Sequence, residues 1–369
     1  MKYNWQQSDW GKFTFSLKEL EDVLYIFVEK AGHLKGLLKA MPEASQEEAL
    51  IEILVSEAIK TSEIENEYLS REDVTSSIHH NLGLFAQTED IRDVRAKGVG
   101  KLITEVRRTY DQPLSENTLK EWHSFLFINR TNINVGDWRT HKEPMQVVSG
   151  AMGREKVHFE APPSAEIPQN MKAFIKWFND TAPNGKHPIK YAPIRSAISH
   201  IYFESIHPFE DGNGRIGRSI ADKALSQSSG YPLLLSLSAT IESNKKAYYS
   251  ALENAQRQNE ITPWLIYFLQ VIIDAQLDAE SLIDFILKKA RFFDLYRSKM
   301  NGRQLKSINR MFNEGTKGFD GGMTAKKYII ITQTSKATAT RDLKALEELG
   351  VLIIQGSGRS THYYLNLGK

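Results

Sequence analysis

The chain has 369 residues, of which 41% are hydrophobic and 25% charged, values typical of a globular protein with two or three domains. It contains no cysteine, which excludes disulfides, thiolate catalysis and cysteine-based zinc sites and fits a reducing compartment. No run approaches the roughly 18 apolar residues that a membrane helix needs, and the N-terminus lacks a signal-peptide core, so we expect a cytoplasmic protein without a membrane partner.

The net charge of +2 conceals an uneven distribution along the chain. Residues 296–369 hold 13 Lys/Arg against 5 Asp/Glu, a balance of +8, whereas the remainder has a balance of −6. This division indicates an appended C-terminal domain with a polyanionic partner. The alternative is an ordinary fluctuation of charge between domains.

Apolar residues recur at three- and four-residue intervals through most of the chain and predict a mainly α protein. The predicted helices cover 15–41, 45–69, 116–127, 169–179, 193–205, 214–228, 247–258 and 263–287. Ser45 precedes an acidic turn and is the expected N-cap of the second helix. Strand-like alternation is scarce, and one candidate is 155–163, a short extended stretch that ends at two prolines.

The last seventy residues predict a different arrangement. Segments 301–314, 323–333 and 335–350 have helical patterns, with Ser335 as a cap and Gly350 as a stop, and two β-rich runs follow at 351–355 and 360–367. Three helices followed by a hairpin are typical of a winged helix-turn-helix. The predicted DNA contacts, on or near the recognition helix and in the wing, are Lys336, Arg341, Lys344 and Arg359. A surface for protein contact or dimerisation is the alternative.

The stretch HPFEDGNGRIGR, residues 207–218, concentrates groups that suit phosphate chemistry. Pro208 disfavours helix at His207, so His207 is expected in a turn just past a helix. Gly212 and Gly214 let backbone N–H groups point into a small concavity. The helix that begins near Gly214 presents free N–H groups and a positive dipole end, which together attract an anion.

The charged residues of this stretch extend the same prediction. Arg215 and Arg218 lie three residues apart on one helix face, and guanidinium groups match phosphate oxygens. Asp211 beside an anion site implies a cation such as Mg²⁺ between its carboxylate and the phosphates. His207 is near enough to accept a proton from a hydroxyl, so the parts predict nucleotidyl or phosphoryl transfer. No GxxxxGK[ST] motif is present, which excludes a P-loop.

This stretch resembles the signature of the Fic family, HxFx[D/E]GNGRxxR. Every defined position matches, namely His207, Phe209, Asp211, Gly212, Asn213, Gly214, Arg215 and Arg218. The resemblance extends over about 45–287. It implies a helical Fic core with a short β-hairpin flap at 91–290. It also implies a helical N-terminal domain at 1–90, and the winged helix-turn-helix then occupies 291–369.

The resemblance implies a protein adenylyltransferase that moves AMP from ATP to a hydroxyl of a target protein, with Mg²⁺ held by Asp211. By the family pattern, His207 takes the hydroxyl proton, and Arg215 and Arg218 hold the β- and γ-phosphates. Asn213 and the backbone of Gly212 to Gly214 stabilise charge on phosphate oxygens. Gly214 stands where a phosphorylating family variant has lysine, which favours AMP transfer.

Two further segments resemble family elements that contact substrates. Residues 153–163 resemble the flap that pairs with an extended target segment, with an ordinary loop as the alternative. Residues 245–256 resemble the helix on the adenosine side, which puts Tyr248 or Tyr249 near the base. Packing in the core is the alternative for this tyrosine pair.

Residues 61–68, TSEIENEY, fit the family's inhibitory pattern [S/T]xxxE[G/N] at Thr61, Glu65 and Asn66. The resemblance implies that Glu65 pairs with Arg218 and keeps ATP out of its productive pose. Glu65 is alternatively a residue that activates water to reverse the modification.

Two other functions remain open at this point. One is a DNA-binding regulator whose Fic core senses nucleotides, although an intact base at His207 argues against a pure sensor. The other is Fic-type transfer of another phosphoryl group. The family resemblance also leaves room for a homodimer.

Overall fold

The computed structural model describes residues 3–84, 91–150, 156–356 and 358–368. Within these ranges the protein is mainly α-helical, as the sequence predicts, with two small antiparallel hairpins. The helices that precede the turn 207–212 are α1 (Glu21–Ala40), α2 (Glu43–Ile64), α3 (Arg71–Asn81), α4 (Val94–Arg108), α5 (Glu116–Leu126), α6 (Ile167–Asp180) and α7 (Ala192–Ile206). The later helices are α8 (Asn213–Ser229), α9 (Leu237–Ser243), α10 (Lys245–Ala255), α11 (Thr262–Tyr296), α12 (Gly302–Phe312), α13 (Ala325–Thr332) and α14 (Lys336–Glu348).

The periodicity located most helices but missed α3, α4 and α9. Helix α4 contains Gly98 and Gly100, which lower helix propensity. Tertiary packing requires both, because an added Cβ would lie 2.0 Å from the Phe125 carbonyl oxygen at Gly98 and 2.5 Å from Ser77 Oγ at Gly100. The expected cap at Ser45 was wrong, because α2 already begins at Glu43 and Ser45 is buried within its first turn.

The chain divides into two compact units, one of residues 1–34 and 50–277 and the other of residues 35–49 and 278–369. The division falls inside helices α1, α2 and α11. The boundaries that the sequence suggested, near 90 and 290, stay a prediction.

In the first unit, α7 is the central helix, because all fifteen of its residues are buried. The turn 207–212 connects α7 to α8, and these two helices pack against each other. Apolar side chains from the surrounding helices, including Phe174 and Trp122, form one continuous core with Phe203 and Ile220. The start of α8 is therefore fixed on a rigid support.

The N-terminal aromatic residues take part in packing. The Trp5 indole donates to the Glu160 carbonyl oxygen at 2.7 Å, and the Trp10 ring lies edge-on to Tyr202 with centroids 5.1 Å apart. The segment ahead of α1 is thereby attached to the core.

The first hairpin pairs β1 (Gln146–Ser149) with β2 (Lys156–Glu160), in a register that matches Gln146 with Glu160 and shifts between Val147 and Val148. Its second strand lies in the predicted flap, 153–163, of which residues 153–155 lie outside the described part of the chain, whereas β1 precedes the predicted range. Only Phe159 of β2 is buried, and its ring packs against Tyr3. The hairpin therefore has one anchored face and one accessible face.

The second unit has its own core, built on Ile308, Tyr328, Leu343 and Val351. Helices α12, α13 and α14 are followed by β3 (Leu352–Gln355) and β4 (His362–Leu365), in the order that the sequence predicts. Ser335 caps α14 by accepting from the Thr338 backbone N–H. The winged-helix assignment itself remains a prediction. Among the described residues, no helix has the length and apolar character to cross a membrane.

Candidate active site

His207 ends helix α7 in a left-handed conformation, with φ of 51°, and its backbone N–H donates to the Phe203 carbonyl oxygen at 3.0 Å. The position just past the helix agrees with the effect expected of Pro208. Burial, reinforced by the Arg139 guanidinium, lowers the pKa of His207 to about 4. The imidazole is therefore neutral at pH 7 and able to accept a proton.

The turn between His207 and α8 is shaped by Phe209 and Asn213. The Phe209 ring is fully buried and stacks on His123 with centroids 4.1 Å apart. Asn213 accepts from the Phe209 N–H at 2.9 Å and donates to the Phe209 carbonyl oxygen at 2.8 Å. Both polar atoms of the Asn213 side chain are thus used inside the turn, where they fix its shape, and this differs from the direct phosphate contact expected for Asn213.

Gly212 provides the left-handed residue that precedes α8, with φ of 79°. An added Cβ would lie 2.7 Å from the Phe127 ring, so a larger side chain is excluded by sterics as well as by backbone conformation. Gly214 lies in the first turn of the helix, and an added Cβ would lie 2.4 Å from Glu65 Oε1. Glycine at this position therefore leaves room for the Glu65 carboxylate beside the first turn of α8, where the N–H groups of a helix start favour negative charge.

Arg215 and Arg218 project from this helix start and are almost completely buried, with side chains 3% and 1% exposed. Buried guanidinium groups need compensating partners, because the desolvation of an isolated charge is costly. The partners come from the end of α2 and the residues just after it.

Arg218 is held by Thr61 and Glu65. Its Nε donates to Thr61 Oγ1, and its Nη2 donates to both the Thr61 carbonyl oxygen and Glu65 Oε1, each at 2.9 Å. The following residue, Asn66, has φ of 61°. A left-handed residue explains why glycine or asparagine suits that position of the inhibitory pattern. The structure brings Glu65 and Arg218 together as the resemblance implied.

Glu67 makes a second contact that the sequence did not single out. Its Oε2 accepts from Arg215 Nη1 at 2.8 Å, while Glu63, the remaining acid of this segment, pairs with Lys60 instead. Each arginine of the helix start therefore has one carboxylate from 65–67. The acidic spacing of this segment was visible in the sequence, but the assignment of carboxylates to arginines needed the fold.

Asp211 is 55% exposed, and its Oδ1 accepts from the Gly212 N–H at 2.6 Å and lies 3.7 Å from Arg215 Nη2. In the part of the chain that the structure describes, no three His, Asp or Glu side chains cluster as metal ligands. Mg²⁺ bound with phosphates needs only one or two carboxylates from the protein, so an exposed carboxylate beside an anion-binding helix start fits that kind of site.

Two residues of the site were not predicted. Glu204, one turn before His207, is 4% exposed, and its Oε2 lies 3.8 Å from His207 Nδ1. Its Oε1 has no hydrogen-bond partner among the described residues, and burial raises the pKa of Glu204 to about 8. Arg139 is also buried and donates from Nε to the His207 carbonyl oxygen at 2.8 Å. Neither residue carries a local sequence signal, because its role depends on tertiary contacts.

The tyrosine pair on α10 divides into one core residue and one surface residue. Tyr248 is 1% exposed and its hydroxyl lies 2.8 Å from His200 Nε2, so core packing accounts for it. Tyr249 is 38% exposed, and its hydroxyl lies 3.5 Å from the Ile64 carbonyl oxygen at the end of α2. Tyr249 is thus the member of the pair that is accessible to a nucleotide.

In the second unit, Lys336, Arg341 and Lys344 are exposed on α14, whose opposite face packs through Ala339, Leu343 and Leu346. Lys344 lies 3.5 Å from Glu348 across one helical turn. The Arg359 side chain lies outside the described part of the structure.

Comparison with known families identifies two segments. The Fic/DOC family model matches residues 113–225, which include the turn and the start of α8. A model described as a domain of unknown function (DUF4172) matches residues 3–84, which include the acidic segment 61–68.

Curated relatives of this chain include two proteins named "Protein adenylyltransferase Fic". The one from Aedes aegypti is 26% identical over 215 residues, covering 53% of this chain and 39% of the relative. The one from Drosophila willistoni is 24% identical over 264 residues, covering 65% and 50%. The chain thus spans half or less of the length of these relatives.

Solved structures give the same fold. A crystal structure of a Fic family protein from Desulfovibrio desulfuricans is 20% identical with a TM-score of 0.53, and the match covers 93% of this chain and 95% of that one. A Fic domain containing signaling protein from Bacteroides thetaiotaomicron is 19% identical with a TM-score of 0.52, covering 69% and 95%. The matched residues 113–225, the relatives and the fold together show that this chain contains a Fic/DOC family domain.

Proposed function

We propose that this protein is an adenylyltransferase that moves AMP from ATP to a hydroxyl side chain of a target protein. The observation that carries the proposal is the pairing of a neutral buried imidazole, His207, with a helix start that holds two buried arginines. Such a helix start favours a polyanion, and the imidazole supplies a base beside it. The names of the curated relatives support the same activity.

In this proposal His207 removes the proton from a Ser, Thr or Tyr hydroxyl. The oxygen then attacks the α-phosphorus of ATP, and pyrophosphate leaves. The N–H groups at the start of α8 stabilise charge on the phosphate oxygens, while Arg215 and Arg218 hold the terminal phosphates. Asp211 is the residue that would hold Mg²⁺, which when bound neutralises phosphate charge.

We also propose that the resting protein is autoinhibited. Glu65 occupies the guanidinium of Arg218 that a γ-phosphate needs, and Glu67 does the same at Arg215. A carboxylate pair at this place repels the phosphates of ATP as well as competing with them. Release therefore requires the segment 61–67 to move away from α8.

Incubation of the purified Glu65→Gly variant with ATP and Mg²⁺, followed by intact-protein mass spectrometry, tests the activity. We expect self-modification by one or more AMP groups, much less on the wild type, and none on Glu65→Gly with His207→Ala. A different added mass would indicate transfer of another phosphoryl group. No added mass on any variant, with no pyrophosphate released, would contradict the proposal.

A second candidate function, DNA binding by the second unit, is favoured by one observation. The first ten residues of α14 expose Lys336, Arg341 and Lys344 on the face opposite the core, in the region with the +8 charge balance. Cations on the exposed face of such a helix suit phosphate contacts and base edges in a groove. Titration of the full chain with duplex DNA at low salt tests this function, and the absence of binding there would remove it.

A further inference from the structure

Arg139 connects the catalytic turn to the flap through backbone contacts on both sides. On the turn side, its backbone N–H donates to the Pro208 carbonyl oxygen at 2.9 Å and its Nε donates to the His207 carbonyl oxygen at 2.8 Å. On the flap side, Nη2 donates to the Pro162 carbonyl oxygen at 2.5 Å and Nη1 to Ser164 Oγ at 2.9 Å. Pro162 follows β2 by two residues.

Each of the three guanidinium nitrogens of Arg139 has a hydrogen-bond acceptor, and none of these acceptors is a carboxylate. Arg139 is 1% exposed, and all its hydrogen bonds in the described structure go to neutral oxygens. A buried cation without an ionic partner is expensive, and burial accordingly lowers the pKa of Arg139 to about 10. A neutral side chain of similar shape would avoid this cost, so the cation itself has a use at this place.

Two consequences for His207 follow from the contacts. The bond to its carbonyl oxygen fixes a residue in the left-handed region, where few side chains remain without support. The positive charge nearby disfavours the imidazolium, which contributes to the lowered pKa of His207. Arg139 therefore acts on both the orientation and the protonation of the proposed base.

The contact of Arg139 with the end of the flap suggests what this connection does for a bound peptide. An edge strand such as β1 or β2 accepts an extended peptide by strand addition, and its register decides where the peptide's side chains lie. A hydroxyl delivered by such a peptide must reach the proton acceptor within about 3 Å. A flap that shifted independently of His207 would lose that alignment.

We propose that Arg139 is a positioning residue that holds the flap and the His207 turn in one fixed relation, so that an acceptor hydroxyl aligned by the flap meets the imidazole. The proposal rests on the proposed adenylyl transfer and adds to it a determinant outside the 207–218 signature.

The test uses the Glu65→Gly protein with Arg139→Lys or Arg139→Gln. Arg195→Lys is the matched control, because Arg195 is also buried and bonded to backbone carbonyl oxygens but lies twelve residues from His207 on α7, about 18 Å along the helix. Self-transfer of AMP is measured against ATP concentration, His207 is titrated by NMR with His207→Ala as the assignment control, and thermal midpoints are recorded for all variants.

We expect both Arg139 variants to lower the rate at saturating ATP at least tenfold, with the half-saturating ATP concentration changed less than threefold, because Arg215 and Arg218 are untouched. The pKa of His207 should rise from about 4 in Arg139→Gln and much less in Arg139→Lys, which keeps the charge. Arg195→Lys should lower only the thermal midpoint.

A loss of stability in the Arg139 variants with an unchanged saturated rate would overturn the proposal, as would an equal loss in Arg195→Lys. If the Glu65→Gly parent transfers no AMP, the proposed function fails. The His207 titration then still decides whether Arg139 controls the imidazole, and an unchanged pKa in Arg139→Gln would reject that part.

Discussion

The starts of helices α8 and α14 both carry cations, but the cations of α8 are buried and those of α14 are exposed. At α8, Arg215 and Arg218 are buried and each has a carboxylate from the segment 65–67. At α14, Lys336 and Arg341 are exposed, and the ion pair Lys344–Glu348 lies across one turn at the surface.

The difference follows from hydration. An exposed ammonium or guanidinium keeps its water and needs no partner, and surface pairs contribute roughly 0–1 kcal/mol. A buried guanidinium has lost that water and needs other partners. Arg139 and Arg195 have neutral oxygens as partners, whereas Arg215 and Arg218 each have a carboxylate. In the proposed autoinhibition, Glu65 and Glu67 take the place of phosphate oxygens on these arginines, whereas the exposed cations of α14 need no such substitute.

Removal of one arginine at each site tests this contrast most directly. We expect Arg218→Ala to lower the free energy of unfolding by about 3 kcal/mol, because Glu65 and the Thr61 carbonyl oxygen lose their buried partner. Arg341→Ala should change it by less than about 0.5 kcal/mol. Urea or thermal unfolding measures both, and equal effects would mean that the burial of Arg218 has no energetic consequence.

Glu65 and Glu67 should differ in how strongly each inhibits AMP transfer. Glu65→Gly removes the only carboxylate on Arg218 in the described structure, so we expect AMP transfer to increase at least tenfold, equivalent to about 1.4 kcal/mol. Glu67→Ala should give a smaller increase, because Arg215 retains Asp211 at 3.7 Å. Initial rates with labelled ATP compare them, with Glu63→Ala as the control on the same segment. A larger increase in AMP transfer for Glu67→Ala than for Glu65→Gly would mean that Glu67 is the stronger inhibitor.

Glu204 allows the same comparison of buried and exposed charged groups to be made for an acid. Its pKa is about 8 in the folded protein and near 4.5 when unfolded, so the folded state binds one more proton between these values. Stability from this group therefore falls as the pH rises through that window. We expect the thermal midpoint of Glu204→Gln relative to wild type to increase between pH 5 and pH 8 by at least about 3 °C, the shift that about 1 kcal/mol produces.

The exposed acid Glu121→Gln is the control for this measurement, since a surface carboxyl should show no such trend. A midpoint difference for Glu204→Gln that stays constant from pH 5 to pH 8 would mean that Glu204 ionises normally in the folded protein.

The smallest expected effect is at α14. If the second unit binds DNA, Arg341→Ala should reduce the slope of log affinity against log salt by about one, because one phosphate contact is lost. Fluorescence anisotropy with a labelled duplex at several salt concentrations measures the slope. Glu347→Ala, which alters an exposed acid on the same helix, should not reduce it, and an unchanged slope in Arg341→Ala would place the contact elsewhere.

Much of the fold and the site was accessible from the sequence. The period of the apolar residues located most helices, and His207 was correctly expected beyond the end of one, because Pro208 restricts the residue before it. The glycine-rich signature predicted a helix start near Gly214, and the resemblance of residues 61–66 to the family's inhibitory pattern implied the Glu65–Arg218 pair. Helix α4 was missed because its two glycines lower helix propensity, and the reason for them is the close packing against neighbouring residues.

The sequence determined which chemical groups are available and how the turn that carries them is built, because backbone conformation near Pro208, Gly212 and Asn213 depends mainly on local sterics and hydrogen bonds. Only the tertiary structure decided which groups meet. Two of these contacts join residues far apart in the chain: Glu67 and Arg215 are 148 positions apart, and Arg139 and His207 are 68 apart. The burial of Glu204 depends on the helices packed around it. Desolvation and distance control these interactions, and both are set by packing that no local pattern encodes.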